Sequence, residues 1–216
     1  MNARSSILHH IKEALKKETE CPFVPATGQM IPSIEQDEIL PRFEREFSAL
    51  KGEFGCAKDW PAAQQWVEKT ARKYNFKKIA AMPQDDVRQA TSTVQPSILT
   101  GKGDCAHQLA EVDLGVSGCD YLIAATGSIL LTAQSGFGRA LSILPPSHMV
   151  VARRKQLVPQ LNEAYAGLQS RFGADMKKWP SLITLITGPS RTADIEKILV
   201  LGAHGPKQLF VLLLDF

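Results

Sequence analysis

The sequence predicts an α/β protein whose mainly parallel sheet is covered by helices. Short, almost wholly apolar runs such as SLITLITG and QLFVLLLDF are typical of strands that are buried on both faces. Segments with helical spacing of apolar residues separate most of these runs, which favours helical crossovers between parallel strands. Two runs, YLIAAT and SILLT, lie so close together around Gly127 that a tight turn or a sharp bend is expected between them, rather than a helical crossover.

The first fifty residues predict an N-terminal helical arm. Residues 5–17 place four apolar side chains on one helical face: Ile7, Leu8, Ile11 and Leu15. The Pro- and Gly-containing stretch CPFVPATGQMIPS predicts an extended linker, and EQDEILPRFEREFSALKG a second helix with Pro41 near its start. We therefore divide the chain into residues 1–50, the arm and linker, and residues 51–216, the α/β domain. The arm could lie on its own domain or on a partner subunit.

The elements of the α/β domain follow from local patterns in chain order. GEFGCA predicts a strand, after which Asp59 caps a helix that has Pro61 in its first turn and runs to about Tyr74. The later segments are predicted as a strand at KKIAAM, a short helix at QDDVRQA, strands at AEVDLGV, YLIAAT, SILLT and HMVVAR, a helix at PQLNEAYAGLQSRF, a buried strand at SLITLITG, a helix at TADIEKILV and a buried C-terminal strand at QLFVLLLDF.

Composition excludes several classes of function. The net charge is only +3, and no basic run is interleaved with aromatic residues, which argues against nucleic-acid binding. No apolar run approaches the ~20 residues of a membrane span, and the N-terminus lacks the apolar core of a signal peptide, so we expect a cytoplasmic protein. The four cysteines form no C-x-x-C pair, which predicts reduced thiols and no metal site. Walker and G-x-G-x-x-G motifs are absent, so the cofactor stays unknown.

The segment ITGPSRT is the first candidate site. An apolar strand is expected to end there and a helix to begin, and backbone N–H groups at a helix start attract anions. Gly188, Ser190, Arg191 and Thr192 would then form a cradle for a phosphate or a carboxylate. The alternative is a strand–helix turn that Ser190 or Thr192 merely caps.

The segment Thr126-Gly127-Ser128 is the second candidate. Gly127 permits positive φ or a close approach of the backbone to a ligand, and the flanking hydroxyls can hydrogen-bond a small polar molecule. The alternative is a glycine bend between two strands.

Two further loops supply charged and titratable candidates. In GFGRALSILPPSHMVV, Gly138 gives a flexible loop, Arg139 can bind a carboxylate through two hydrogen bonds, and His148 is a candidate for proton transfer. In GAHGP, His204 and Gly205 would line the same cleft. The alternatives are a surface arginine, a packed histidine and a loop that only Gly and Pro shape.

Several motifs together resemble the LUD domain of the lactate utilization protein C family. The motifs that carry the resemblance are Gly118-Cys119-Asp120-Tyr121, Thr126-Gly127-Ser128, Gly138-Arg139, Leu144-Pro145-Pro146 with His148, the run from Gly188 to Glu196, and Gly202-Ala203-His204-Gly205-Pro206. The resemblance implies a fold like that of the superfamily of glucosamine-6-phosphate isomerase, ribose-5-phosphate isomerase and coenzyme A transferase. It also implies a part in the oxidation of L-lactate to pyruvate together with iron–sulfur protein partners.

One position departs from the family pattern. Members usually carry an acidic residue directly before the Thr-Gly pair, whereas this chain has Ala125. Alanine cannot transfer protons, so a mechanism that uses that carboxylate is in doubt here. Asp120 could replace it only if the bend brings its side chain back to the turn.

Three hypotheses for the function remain at this point. The first is an accessory subunit of a lactate-oxidising assembly. The second is a stand-alone enzyme for a small carboxylate, a sugar phosphate or a coenzyme A metabolite, in which Arg139 and Arg191 bind the anion and His148 or His204 moves the proton. The third is a sensor whose cleft binds a regulatory ligand. The sequence also leaves open whether the protein forms a homo-oligomer.

Overall fold

The computed structural model describes residues 3–16, 34–98, 109–134, 140–192, 200–202 and 204–216. Its contacts divide the chain into two compact units, Met1–Ser33 and Ile34–Phe216. In the first unit, helix α1 spans Ala3–Ala14, which confirms the predicted first helix with bounds shifted by two or three residues. The predicted linker CPFVPATGQMIPS lies outside the described residues.

Helix α2 is the first helix of the second unit, and every strand that the structure describes also lies in this unit. The helices are α2 (Ile39–Ala49), α3 (Trp60–Lys73), α4 (Asp85–Ala90) and α5 (Leu161–Phe172), with short 3-10 turns at Ser92–Val94, Arg154–Gln156 and Met176–Lys178. The strands are β1 (Glu53–Ala57), β2 (Ile79–Ala81), β3 (Ser97–Ile98), β4 (Leu114–Ser117), β5 (Tyr121–Ile123), β6 (Ser128–Thr132), β7 (Ser147–Arg153), β8 (Leu157–Val158), β9 (Ile183–Ile186), β10 (Arg191–Thr192), β11 (Val200–Leu201) and β12 (Gln208–Leu214).

A six-stranded sheet with the order β1-β12-β7-β4-β2-β3 forms the centre of the second unit. Every pairing within it is parallel, which confirms the predicted fold class. Strand β12 lies between β1 and β7, with Phe210 in register with Glu53 and Met149. Its residues 209–214 are buried, as the unbroken apolar run QLFVLLLDF predicts for a strand that is covered on both faces.

Different elements cover the two faces of this sheet. On one face, α3 and α4 pack their apolar residues, including Val67 and Val87, against Phe210 and its neighbours. Asp59 caps α3 as predicted, since its side chain accepts a hydrogen bond from the Ala62 backbone N–H at 2.8 Å. On the other face, α2 and a second sheet cover β7 and β12.

Helix α2 is part of this core. Phe43 and Phe47 are fully buried and stack on each other with ring centroids 5.4 Å apart. The sequence left open whether the helical arm lies on its own domain or on a partner subunit. Its second helix, α2, lies on its own domain. The division of the chain at residues 50 and 51 stays a prediction.

The second sheet has four strands in the order β8-β5-β6-β9. Strands β5 and β6 form the antiparallel hairpin that the sequence predicts, and Gly127 at its turn has φ 60°. The prediction of a buried strand at SLITLITG is right about the strand but wrong about its burial, because Leu185 is 44% exposed. Strand β9 pairs with β6 at the edge of this sheet, so only part of its surface is covered.

Strands β10 and β11 occupy the ends of the segment that was predicted to be the helix TADIEKILV. Thr192 pairs antiparallel with Val200, so the prediction is wrong at these two residues. The backbones of Thr192 and Val200 are extended because β10 and β11 pair with each other as antiparallel strands. Residues 193–199, the centre of the predicted helix, lie outside the described residues.

Candidate functional site

Two of the predicted motifs meet at the amino ends of β7 and β12. The Ser190 N–H donates to the Pro206 carbonyl at 2.9 Å, and the Gly202 N–H donates to the Ser190 carbonyl at 3.0 Å. The His204 N–H lies 3.3 Å from the Ser190 hydroxyl oxygen, which accepts its hydrogen bond. Ser190 thus joins the segment after β9 to the segment before β12.

A cavity of about 330 Å³ lies against this junction. We call it the amino-end cavity. The predicted residues in its wall are Gly188, Ser190, Arg191, His204 and Gly205, and the other lining residues are Ser142, Ile143, Thr184, Leu185, Ile186, Thr187 and Pro206. Its volume lies within the range of about 300–1,000 Å³ that is usual for small-molecule sites. The structure therefore brings five of the predicted site residues to one cavity.

Arg191 is the cation at this cavity that can bind an anion. Its side chain is exposed, and it forms no ion pair with any residue that the structure describes. Gly188, at φ 89°, permits this arrangement because a Cβ there would lie 3.3 Å from the Arg191 Nη2 atom and 3.1 Å from the Leu50 Cβ. The free guanidinium can bind a carboxylate or a phosphate through two parallel hydrogen bonds.

A chain of hydroxyl groups links the second motif to the same cavity. The Thr126 and Ser128 hydroxyl oxygens are 2.7 Å apart, and the Ser128 oxygen is 2.9 Å from the Thr187 oxygen. Thr187 lines the amino-end cavity, and sequence reasoning missed it. The signal that could have found it is its place directly before Gly188, at the end of a strand.

Gly127 is held against α2. A Cβ at this position would lie 2.4 Å from the Phe47 backbone nitrogen, so only glycine lets the hairpin turn approach the helix. This contact explains the glycine by packing. A role in ligand binding stays a prediction for Thr126, Gly127 and Ser128.

His148 lies inside the sheet. Its side chain is fully buried on β7, and its Nε2 atom is 2.9 Å from the Ser117 hydroxyl oxygen, whose own proton is donated to the Gly118 carbonyl. Burial lowers the pKa of His148 to about 4, so the ring is neutral at neutral pH. Its Nδ1 atom is buried without a hydrogen-bond partner. The proposed proton transfer by His148 stays a prediction, and it requires access that this packing does not give.

Asp120 does not return to the Thr-Gly turn. Its Oδ2 atom accepts from the Thr132 N–H at 2.7 Å, and its Oδ1 atom accepts from Arg171 at 2.8 Å. Thr132 ends β6, so the carboxylate is fixed at the end of the hairpin away from Gly127. Asp120 therefore cannot replace the acidic residue for which this chain has Ala125.

Three further residues were predicted for the site: Gly138, Arg139 and Thr192. Gly138 and Arg139 lie outside the described residues, so their predicted carboxylate binding is not placed. Thr192 is described only by its backbone, in β10. These residues stay predictions for the site.

The described ranges offer neither a metal cluster nor a membrane helix. Within them, His, Cys, Asp and Glu form no group of three or more that could hold a metal ion. No helix that the structure describes is both long and apolar enough to cross a membrane.

Fold and cavity together define an open parallel α/β domain with a small-molecule cavity that offers a free arginine. The LUD domain model matches residues 40–214, which is more than half of the chain, and the chain belongs to the LUD domain family.

Relatives with curated names agree with this assignment. A Lactate utilization protein C of Macrococcus caseolyticus is 35% identical over 115 residues, which cover 53% of this chain and 49% of the relative. The chain therefore matches about half the length of that relative. A Lactate utilization protein C of Shouchella clausii is 26% identical over 228 aligned positions, covering 98% of this chain and 97% of the relative.

A solved structure supports the fold. The crystal structure of a DUF162 family protein from Deinococcus radiodurans aligns with a TM-score of 0.63 at 20% identity. The alignment covers 84% of this chain and 99% of that one. At this identity the match is evidence for the shared fold alone.

Proposed function

We propose that this protein takes part in lactate utilization, as a subunit that acts with iron–sulfur proteins in the oxidation of L-lactate to pyruvate. The names of the relatives in Macrococcus caseolyticus and Shouchella clausii support the metabolic role. The observation that links this role to a particular site is Arg191, which lies in the wall of the amino-end cavity and forms no ion pair within the described residues.

The cavity suits a small α-hydroxy or α-keto acid. Arg191 binds the carboxylate, and the exposed His204 side chain, on the segment that Ser190 holds in place, hydrogen-bonds the adjacent hydroxyl or keto oxygen. Oxidation of lactate to pyruvate releases two electrons and two protons. In this proposal the O–H and C–H bonds at C2 of lactate break and the C=O bond of pyruvate forms. The iron–sulfur partners accept the two electrons, His204 accepts the hydroxyl proton, and the proton from the C–H bond passes to water.

A second candidate function is a stand-alone enzyme of the isomerase and transferase type. A neighbouring cavity of about 470 Å³ shares His204 and Gly205 with the amino-end cavity and is also lined by Lys207. The two spaces together have room for a phosphorylated or coenzyme A-linked ligand. For this reason the experiment below is designed to distinguish the second candidate function from the first.

The test compares the isolated chain with the chain bound to its partners. The tagged protein is purified from its host after growth on L-lactate, and L-lactate-dependent reduction of an artificial electron acceptor is measured before and after removal of the iron–sulfur proteins. We expect turnover only in the assembled sample. Turnover by the isolated chain would support the second candidate, and no turnover in an assembled, folded sample would overturn the proposal.

Arginine variants then test the site. Arg191→Ala removes the carboxylate contact, and we expect pyruvate binding to weaken about tenfold or more, as for a hydrogen bond to a charged group. Arg88→Ala is the matched control, because Arg88 is also exposed and forms no ion pair within the described ranges. Equal pyruvate affinity in both variants would exclude Arg191 as the anion-binding residue.

A further inference from the structure

The connections of the parallel sheet change face between β2 and β4. The β1–β2 and β2–β3 connections contain α3 and α4, which pack on one face, whereas the β4–β7 connection contains the β5–β6 hairpin, which packs on the other. The loops that follow β2 and β4 therefore leave the sheet in opposite directions. In open α/β sheets, a crevice at the carboxyl ends of two such strands is where ligands bind.

A cavity of about 280 Å³ lies in this crevice, and none of the residues in its wall was a candidate from the sequence. We call it the carboxyl-end cavity. Gln84 follows β2, Gly118 and Cys119 follow β4, and Arg153 and Lys155 come from the end of β7. Because β7 has seven residues, this cavity lies about 20 Å from the amino-end cavity at the other end of the strand.

The charge in its wall is positive. Asp86 is the carboxylate among the lining residues, and Arg153 occupies both of its oxygens, with Nε at 2.6 Å from Oδ2 and Nη2 at 2.5 Å from Oδ1. Lys155, in contrast, forms no ion pair with any residue in the described part of the chain. The cavity thus keeps one uncompensated cation.

Gln84 adds a neutral donor with a fixed orientation. Its Oε1 atom accepts from the Gly118 backbone N–H at 3.1 Å, which leaves Nε2 as the donor end of the amide. A Cβ at position 118 would lie 2.9 Å from Oε1, which means that glycine is needed for this approach. The Gln84 Nε2 group has no protein acceptor among the described residues.

The turn that carries Lys155 is held in place by its neighbour. Gln156 accepts from the Arg153 N–H at 2.7 Å and donates to the Cys119 carbonyl at 2.5 Å. These two contacts tie the turn to the loop after β4. The backbone of Lys155 is therefore ordered before any ligand binds, which lowers the entropic cost of binding.

We propose that the carboxyl-end cavity is a second binding site, for an oxyanion group held by Lys155 and the Gln84 amide. An adjoining cavity of about 600 Å³ shares Arg153 and Lys155 and adds the apolar residues Ile39, Leu157 and Phe216 together with Gln36 and Arg154. Its three apolar residues offer contacts to an apolar part of the ligand. The ligand class is thus a phosphorylated or carboxylated metabolite with an apolar part.

The experiment is a titration of the ¹⁵N-labelled full chain with inorganic phosphate and, separately, with pyruvate, followed by NMR. The proposal expects at least one of the two probes to shift the amide signals of Gly118 and Lys155 and to saturate. Saturation by phosphate alone identifies a phosphorylated ligand, and saturation by pyruvate alone a carboxylated one. Absence of saturable shifts at these amides with both probes would overturn the proposal, whatever happens at Ser190 and His204.

Two variants and a control assign the binding groups. Lys155→Gln removes the cation, and Gln84→Glu keeps the acceptor for Gly118 but replaces the donor with a negative charge. Each should weaken binding of the responding probe about tenfold or more. Lys69→Gln makes the same charge change at an exposed position on α3 and should leave the affinity unchanged. Equal affinities in the Lys155 variant and the control would overturn the proposal.

Arg191→Ala should not alter the shifts of the Gly118 and Lys155 amides. Failure of this proposed site can therefore be distinguished from failure of the proposed function.

Discussion

The buried His148 makes the stability of this protein depend on pH. Its pKa is lowered to about 4 by burial, whereas an unfolded chain gives histidine a pKa of about 6.5. Between these two values the unfolded state binds more protons than the folded state. The stability contributed by the neutral ring is therefore complete above about pH 6.5 and is lost as the pH falls toward 4.

The size of this effect follows from the two pKa values. At pH 7.5 the difference in proton binding costs almost nothing, but at pH 5 it removes about 2 kcal/mol from the free energy of unfolding. Small domains are stable by roughly 5–15 kcal/mol in total, so the loss is measurable. His148→Gln removes the titrating ring and keeps a group that can hydrogen-bond Ser117.

The assay is urea denaturation of the wild type and of His148→Gln at pH 7.5 and pH 5. We expect the wild type to lose about 2 kcal/mol more than the variant over this interval. Comparing the change with pH, rather than the stability at one pH, cancels the cost of the altered packing and the titration of carboxylates that both proteins share. Parallel losses in the two proteins would refute the buried, neutral state of His148 and would reopen its role in proton transfer.

Two further predictions concern packing. Gly127→Ala should lower the free energy of unfolding by about 3 kcal/mol or more, because positive φ and a 2.4 Å approach to the Phe47 nitrogen both penalise a Cβ. Urea denaturation checks this prediction, and an unchanged free energy of unfolding in Gly127→Ala would contradict the close contact with α2. Truncation after Lys207 removes β12 from the centre of the sheet and should abolish the cooperative melting transition, whereas a soluble truncated chain that melts cooperatively would contradict the strand's position.

Local patterns predicted most of the second unit because each element carries its own signal. The start of α3 is marked by Asp59 and Pro61, which lie only two positions apart in the sequence. Strand β12 is marked by an apolar run that polar residues do not interrupt. The hairpin around Gly127 followed from the short spacing between its two strands. Such signals need no knowledge of what the element packs against.

Properties that depend on distant residues could not be predicted in this way. SLITLITG contains four apolar residues and was predicted to be buried, but the strand is partly exposed because its place at a sheet edge is decided by pairing with β6. His148 is neutral because burial lowers its pKa, and its burial depends on the neighbouring strand β4, whose Ser117 is 31 residues earlier in the chain. Gln84 and Lys155 are ordinary polar residues in the sequence, and only the topology of the sheet brings them to one crevice.

The described geometry also bears on the prediction that a histidine at the amino-end cavity moves a proton. Ala125 has no titratable side chain, and the Asp120 carboxylate is held by Thr132 and Arg171 at the far end of the hairpin. The Thr126 turn therefore offers hydroxyl groups, which bind polar atoms but do not act as bases near neutral pH. Among the described residues in the wall of this cavity, His204 is the one that carries an imidazole. We therefore predict that a proton-transfer mechanism in this chain would use His204 in the loop before β12 and not the Thr-Gly turn, where Ala125 stands.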